Sequence, residues 1–178
     1  MGTPKALVRD AEGTPWIRRA ARLLRAGGCA PVVVVLGAAA DEARALLGAD
    51  LETPVDVVVA TDWAAGLGAS LRAGLSALPG LAPNADAALV LLVDLPDLVP
   101  AVVRRVTGHA APTALARATY GERPDARHGH PVLLGRDHWR AAAAMAGGDR
   151  GAHDYLAAHS VTPVDCSDLA TGTDVDTL

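Results

Sequence analysis

Carboxylates at two places in the sequence are best placed for chemistry. One follows an apolar run in the middle of the chain, and two others lie near the C-terminal end. Asp94 directly follows the apolar run 87–93 (AALVLLV), and Asp174 and Asp176 lie two residues apart. A carboxylate at the end of a buried strand suits Mg²⁺, which takes one or two protein carboxylates and completes its coordination with phosphate and water. In an extended segment Asp174 and Asp176 project to the same side, which suits a second metal-ligand position. The alternatives are an Asx turn at Asp94 and a frayed acidic terminus.

A glycine-rich segment and a pair of histidines are further candidates. Gly66, Gly68 and Ser70 open a helical pattern, so backbone amides there could meet a base or a phosphate at the helix N-terminus. Such glycines also occur simply in turns. His128 and His130 flank one glycine without a third ligand at zinc spacing, which favours loop histidines that contact substrate or solvent over a zinc site.

Three familiar motifs are missing from the sequence. Gly37 follows an apolar run, but the other glycines of GxGxxG are not present. There is also no GxxxxGK[ST] phosphate loop and no GxSxG element around a nucleophilic serine. The sequence therefore gives no support to an NAD(P) site, an ordinary kinase or a serine hydrolase.

Composition limits the class of protein and its partners. The 178 residues suit one domain, which we place at residues 1–178. A net charge of −4 argues against a nucleic-acid partner, and no apolar run approaches the roughly 20 residues that a membrane span needs. The N-terminus carries no secretory pattern, and the two cysteines, Cys29 and Cys166, form no CxxC pair. These features predict a cytoplasmic protein with no membrane partner.

Apolar runs and helical patterns alternate along the first half of the chain. This alternation predicts right-handed crossovers and an α/β fold of three layers, Rossmann-like, with a mostly parallel sheet flanked by helices on both faces. The predicted strands are 31–36, 55–60, 87–93, 114–120, 131–134 and 161–165. Six helices are predicted, and they begin near Thr14, Asp41, Leu67, Pro100, Asp137 and Asp149. Thr14 is the expected cap of the first helix, and the third helix is expected to end at Pro79-Gly80.

Six segments in collinear order resemble the molybdenum cofactor cytidylyltransferase family, within the MobA-like nucleotidyltransferases. They cover essentially the whole chain, although no one of them is decisive alone. The segments are 1–7 (MGTPKAL), 63–74 (WAAGLGASLRAG), 92–96 (LVDLP), 129–133 (GHPVL), 148–152 (GDRGA) and 174–177 (DVDT). The resemblance implies the three-layer nucleotidyltransferase fold.

The resemblance also implies a reaction and its partners. CMP, or another nucleoside monophosphate, would pass from CTP or another NTP to a molybdopterin-type cofactor, with release of pyrophosphate and with Mg²⁺ as the metal. Such a transfer requires that the reacting groups lie in line, that carboxylates hold a metal ion and that a positively charged side chain is present. It requires little covalent chemistry from the protein. A molybdenum hydroxylase is the partner that would use the product.

Each candidate residue takes a role from the position that it matches in the family. Lys5 matches the phosphate-contacting lysine, and Asp94 matches the metal-binding aspartate. Asp174 or Asp176 matches the second metal position. The segment Gly66 to Ser70, including Gly68, matches the part around the base, and His130 lies on the acceptor side.

The chain departs from the family in two regions. The family begins with an apolar strand and a loop LAAGxGxRMGxPK, whereas this sequence starts at the Met of RMG. The resemblance therefore implies an N-terminally truncated domain whose neighbouring strands lack a pairing partner. Leu95 also stands where the family commonly has Gln. The alternative function is that of a catalytically inactive nucleotide- or pterin-binding maturation protein for a molybdenum hydroxylase.

Overall fold

Helices and strands alternate through a computed structural model that describes residues 4–48, 55–122 and 124–175. We number the longer elements in chain order. They are α1 (Trp16–Ala26), β1 (Val33–Leu36), α2 (Ala40–Leu47), β2 (Asp56–Val59), α3 (Leu67–Leu81), β3 (Ala87–Val90), α4 (Pro100–Thr107), β4 (Leu115–Tyr120), β5 (Arg127–Gly135), α5 (Trp139–Met145), α6 (His153–Ala157) and β6 (Thr162–Asp165). Short 3₁₀ turns cover Lys5–Leu7, Trp63–Ala65, Arg136–His138 and Gly148–Arg150.

The strands form two separate sheets. One contains β1 and β2 in parallel, and the other has the order β3-β5-β4-β6. In the larger sheet β5 is antiparallel to both of its neighbours, while β4 and β6 are parallel. The antiparallel pairing follows from the short connection 121–126 between β4 and β5, because parallel strands need a longer crossover. The larger sheet is therefore mixed in direction, whereas the two-stranded sheet is parallel.

Helices cover both faces of these sheets, which confirms the expected three-layer α/β fold. On one face, Ile17 of α1 packs with Leu36 of β1. On the other face, Leu75 of α3 packs with Leu134 of β5, and α3 also contacts β1 and β2. Apolar side chains on alternate strand positions therefore enter three core clusters of the described residues, one under α1 and α2, one under α3 and one beneath α4.

Several element ends differ from the sequence-based expectation for identifiable reasons. The predicted strand 87–93 ends at Val90, because the next opposing residue of β5 is Pro131, which has no amide hydrogen to donate. The third helix passes through Pro79 to Leu81, since a proline in the last turn removes a single hydrogen bond. Thr14 does not cap α1 with its side chain; its amide instead donates to Asp10.

The later elements also differ in length from those expected. β5 begins at Arg127 rather than near 131, because the polar residues 127–128 pair with the end of β4. The helices expected over 137–145 and 149–159 are shorter, α5 and α6, each preceded by a 3₁₀ turn. In the part of the chain that the structure describes, no helix has the length and apolar character needed to cross a membrane.

Candidate active site

An ion pair between Lys5 and Asp94 forms the centre of the candidate site. Lys5 Nζ donates to Asp94 Oδ2 at 2.6 Å, and the two residues are 89 positions apart in the sequence. Asp94 is 5% exposed, whereas the Lys5 side chain is 38% exposed. The second carboxylate oxygen, Asp94 Oδ1, is buried without a hydrogen-bond partner. A buried carboxylate oxygen that lacks a partner is costly, and its presence indicates a position for a ligand.

Both members of the pair are held by their local structure. Lys5 begins a 3₁₀ turn, and the following residues Ala6 and Leu7 pack against the core formed by Ile17 and Leu36. Asp94 lies in the turn beyond β3, and Leu95 next to it is buried in the core beneath α4. Apolar packing on each side of the ion pair thus fixes the two charged groups.

The C-terminal segment is fastened beside Asp94 by backbone hydrogen bonds. The amide of Thr171 donates to Asp97 Oδ2 at 2.5 Å, and the amide of Val175 donates to the carbonyl of Asp94 at 2.9 Å. Asp174, the residue before Val175, is exposed. The structure therefore brings Asp174 to the same turn as Asp94, while Asp176 lies outside the described residues.

The donor set fits a divalent cation that also binds phosphate. Asp94 supplies an unpartnered carboxylate oxygen, and the exposed Asp174 precedes Val175, whose amide donates to the carbonyl of Asp94. Mg²⁺ and Mn²⁺ prefer oxygen ligands of this kind. Within residues 4–48, 55–122 and 124–175, no cluster of three or more His, Cys, Asp or Glu side chains could enclose a metal. A divalent cation held here would take its remaining ligands from phosphate and water.

The glycine-rich segment packs against a loop at the start of α3. Gly66 has a φ of 102°, and a Cβ there would lie 2.5 Å from Asp149 Oδ1. A Cβ on Gly68 would lie 2.5 Å from the backbone nitrogen of Gly147. Glycine is thus required at both positions, because the loop approaches the backbone there too closely for a side chain. Ser70 is half-buried in the first turns of α3. No hydrogen bond described in the structure joins this segment to Asp94.

Arg72 of α3 holds this segment in place. Its guanidinium donates to Asp62 Oδ2 at 2.5 Å and to the carbonyl of Ala146 at 2.9 Å. The pKa of Asp62 is lowered by the hydrogen bond from Arg72. These two bonds connect the 3₁₀ turn before Gly66 to the end of α5, so the N-terminus of α3 keeps a fixed position.

His130 lies in β5, beside the end of β3 and close to Asp94. Its Nδ1 donates to the carbonyl of Val90 at 3.3 Å, and its own carbonyl accepts from the hydroxyl of Tyr120 at 2.6 Å. Burial lowers the pKa of His130, although the bond to Val90 and the charge of Asp94 act in the opposite direction. The neutral ring therefore carries its hydrogen on Nδ1 and presents Nε2 as an acceptor.

The lowered pKa of His130 predicts a pH dependence of stability. The unfolded protein binds a proton at His130 more readily than the folded protein does. The neutral His130 therefore makes its full contribution to the free energy of unfolding above the unfolded pKa near 6.5, and that contribution is lost as the pH decreases. We expect His130→Gln to lose less stability than the wild type between pH 7 and pH 5 in urea titrations. The exposed His109 provides the control, since its Gln variant should change this dependence much less. Equal slopes for the wild type and His130→Gln would contradict the prediction.

Two residues of this region were not singled out by sequence reasoning. Asp97 anchors the C-terminal segment, and Tyr120 fixes the backbone of His130. Neither belongs to a motif, because each acts through a hydrogen bond to a distant backbone atom. The position of Asp97 three residues after Asp94 was the one available indication.

Comparison with known proteins gives matches over nearly the whole chain. The profile of the MobA-like NTP transferase domain matches residues 1–164. Nicotine blue oxidoreductase of Paenarthrobacter nicotinovorans is 37% identical over 180 aligned residues, covering 98% of this chain and 84% of that protein. A crystal structure of Rv0371c from Mycobacterium tuberculosis H37Rv in complex with manganese is 28% identical, with a TM-score of 0.77 over 99% of this chain and 88% of its own. A second crystal structure of Rv0371c gives 27% identity and a TM-score of 0.76, covering 99% of this chain and 86% of its own.

Proposed function

Because this chain belongs to the MobA-like NTP transferase family, we propose that it is a Mg²⁺-dependent nucleotidyltransferase. It transfers CMP, or another nucleoside monophosphate, from an NTP to a molybdopterin-type cofactor and releases pyrophosphate. Residues 1–178 act as one transferase domain in the cytoplasm, and the product serves a molybdenum hydroxylase. The observation that carries the proposal is the Lys5–Asp94 pair with its unpartnered carboxylate oxygen.

The reaction makes and breaks one bond at the α-phosphorus of the nucleotide. A phosphate oxygen of the acceptor forms a bond to that phosphorus, and the bond to the oxygen shared with the β-phosphorus breaks. Pyrophosphate leaves with the electron pair. The protein contributes positioning and charge, because phosphoryl-type transfer asks for little covalent chemistry.

Lys5 supplies the positive charge for the phosphates. An ammonium group has three donors, and one of them is used by Asp94 Oδ2. The Lys5 side chain is partly exposed, so its ammonium group can meet phosphate oxygens while Asp94 keeps the group in position. Asp94, with Asp174 or Asp176, would hold Mg²⁺, which neutralises phosphate charge when bound. The manganese in the Rv0371c crystal structure supports a divalent cation in this family.

The remaining candidate residues form the walls of the proposed substrate site. Gly66, Gly68 and Ser70 lie at the N-terminus of α3, where backbone amides without a helical partner suit the base or a phosphate of the nucleotide. His130 contributes to the acceptor side through Nε2, since Nδ1 is used by Val90. The support for these roles is their location at the ends of α3 and β3.

A second candidate is a catalytically inactive protein that binds the nucleotide or the pterin during maturation of a molybdenum hydroxylase. The relative from Paenarthrobacter nicotinovorans is named as an oxidoreductase rather than a transferase, so its name does not support nucleotidyl transfer. The sequence itself carries no GxGxxG element for a nicotinamide cofactor.

The test is incubation of the protein with CTP, Mg²⁺ and molybdopterin, followed by measurement of released pyrophosphate. We expect release that requires all three components, and parallel incubations with GTP and ATP identify the nucleotide. Binding of nucleotide or pterin in calorimetry without pyrophosphate release supports the second candidate. Absence of both binding and release contradicts the two candidates together.

A further inference from the structure

Arg117 of β4 is a partly buried cation without an acidic partner. Its Nε is buried and has no hydrogen-bond partner, and burial lowers the pKa of the guanidinium. In the part of the chain that the structure describes, no carboxylate forms an ion pair or a hydrogen bond with Arg117. A charged group that leaves water without a partner costs free energy, and a bound anion would remove that cost.

The strand register places Arg117 on the face of the larger sheet that α3 covers. Ala116 and Ala118 on either side of it enter the core beneath α4, so the Arg117 side chain points to the opposite face. Its direct partners in the neighbouring strands are Val132 of β5 and Pro163 of β6. Neither of these side chains contains a hydrogen-bond acceptor, so the adjacent strands do not neutralise the guanidinium in this row of the sheet.

Thr119 and His128 lie beside Arg117 on the same face. Thr119 follows two positions later on β4, and His128 is the direct partner of Thr119 on β5. Desolvation and, after it, the charge of Arg117 lower the pKa of His128, which shows that the two basic groups are close enough to interact. Asp165 of β6 lies opposite Thr119, but its carboxylate accepts from the amide and the hydroxyl of Ser167. Two basic side chains and a hydroxyl group suit a phosphate.

This group of residues lies toward the same edge of the sheet as Asp94. Both β3 and β4 are antiparallel to β5 and therefore run in the same direction. Val132 of β5 is in register with Val90 of β3 as well as with Arg117. The direction from Val90 to Asp94 is thus also the direction from Arg117 to Thr119. Two strand spacings, roughly 10 Å, separate β3 from β4 in this row, so one substrate molecule can reach both places.

We propose that Arg117, together with His128 and Thr119, forms a phosphate subsite that binds the phosphomonoester of the acceptor. The identity of the acceptor rests on the proposed function, whereas the anion site rests on the unpartnered guanidinium. A guanidinium binds phosphate through two parallel hydrogen bonds, and these are stronger beside apolar neighbours such as Val132 than in water. Arg117 is thus an acceptor-binding residue that orients the attacking phosphate toward the nucleotide at Asp94.

Thermal unfolding in inorganic phosphate tests the anion site without assuming the reaction. The reference is sodium chloride at the same ionic strength, and the variant is Arg117→Met. We expect phosphate to raise the unfolding temperature of the wild type more than that of Arg117→Met. Arg127→Met is the matched control, because Arg127 is exposed and shares the opposite face with Tyr120, so it should respond like the wild type. A rise of equal size in the wild type and Arg117→Met overturns the proposal.

The unfolding temperature in chloride separates a binding role of Arg117 from a structural one. Because the guanidinium has no acidic partner, we expect Arg117→Met to unfold at the same temperature as the wild type or at a higher one. A decrease of several degrees would mean that the charge stabilises the fold itself, and would overturn the proposal.

Calorimetry with molybdopterin, and separately with CTP and Mg²⁺, identifies the substrate whose phosphate is bound. We expect Arg117→Met to bind molybdopterin at least about tenfold more weakly than the wild type does, and to bind CTP equally well. A loss of affinity for CTP alone would place a nucleotide phosphate at Arg117 and overturn the acceptor assignment. If phosphate stabilises the wild type through Arg117 but molybdopterin does not bind, the proposed function fails and the anion site stands.

Discussion

Replacement of Asp94 by asparagine is expected to lower the rate of nucleotidyl transfer by at least about 100-fold while the protein remains folded. Asparagine keeps the shape of the side chain but removes the negative charge that faces Lys5 and the unpartnered oxygen that fits a cation. The structural loss should be limited, because asparagine keeps the side-chain volume and can still accept a hydrogen bond from Lys5, whose side chain is partly exposed. Pyrophosphate release at saturating NTP and Mg²⁺, together with a thermal unfolding curve, measures the two effects separately.

A control aspartate and a cation titration show whether the loss of activity in Asp94→Asn comes from the candidate site or from the removal of any paired carboxylate. Asp86 also pairs with an arginine, Arg136 at 3.2 Å, but lies on an exposed surface, so Asp86→Asn should keep full activity. Mn²⁺ binding followed by electron paramagnetic resonance should weaken in Asp94→Asn and to a smaller extent in Asp174→Asn. An Asp94→Asn protein with normal turnover and normal Mn²⁺ affinity would rule out the metal assignment.

Replacement of Gly68 by alanine is expected to destabilise the protein by about 3 kcal/mol, although alanine is normally the better helix residue. The added methyl group would lie 2.5 Å from the backbone nitrogen of Gly147, and a backbone atom cannot move aside as a flexible side chain can. For a chain of this length the melting temperature should fall by about 6–12 °C. Calorimetry or circular dichroism measures the change.

The same helix contains a control position for this substitution. Gly80 lies in the last turn of α3, and a Cβ there meets no atom within 4 Å. Gly80→Ala should therefore be neutral or stabilising, by up to about 1 kcal/mol. If both alanine variants unfold at the same temperature as the wild type, the loop at Gly147 does not pack against α3 as described.

The strands of the first half were predictable because each is a continuous apolar run between turn residues. The run Pro31 to Leu36 contains β1, and Val55 to Ala60 contains β2. The second half was less predictable, since β5 begins with the polar residues 127–130, whose strand conformation depends on pairing with β4. Hydrogen bonding to a neighbouring strand overrides local sequence preference there.

The sequence pointed to both Lys5 and Asp94 but not to the contact between them. Asp94 was indicated by its position after an apolar run, whereas Lys5 was indicated only by resemblance to a family. The hydrogen bond between them could not be predicted, because it joins residues 89 positions apart. The attachment of the C-terminal segment through Asp97 was equally hidden, since it depends on one backbone amide.

Both ends of the described chain converge on the turn at Asp94. Lys5 reaches its side chain, and the amide of Val175 reaches its carbonyl. A polyhistidine tag placed close to Lys5 or Val175 would bring chelating imidazoles within reach of the proposed cation position. Titrations with Mn²⁺ or Mg²⁺ consequently need tag-free protein.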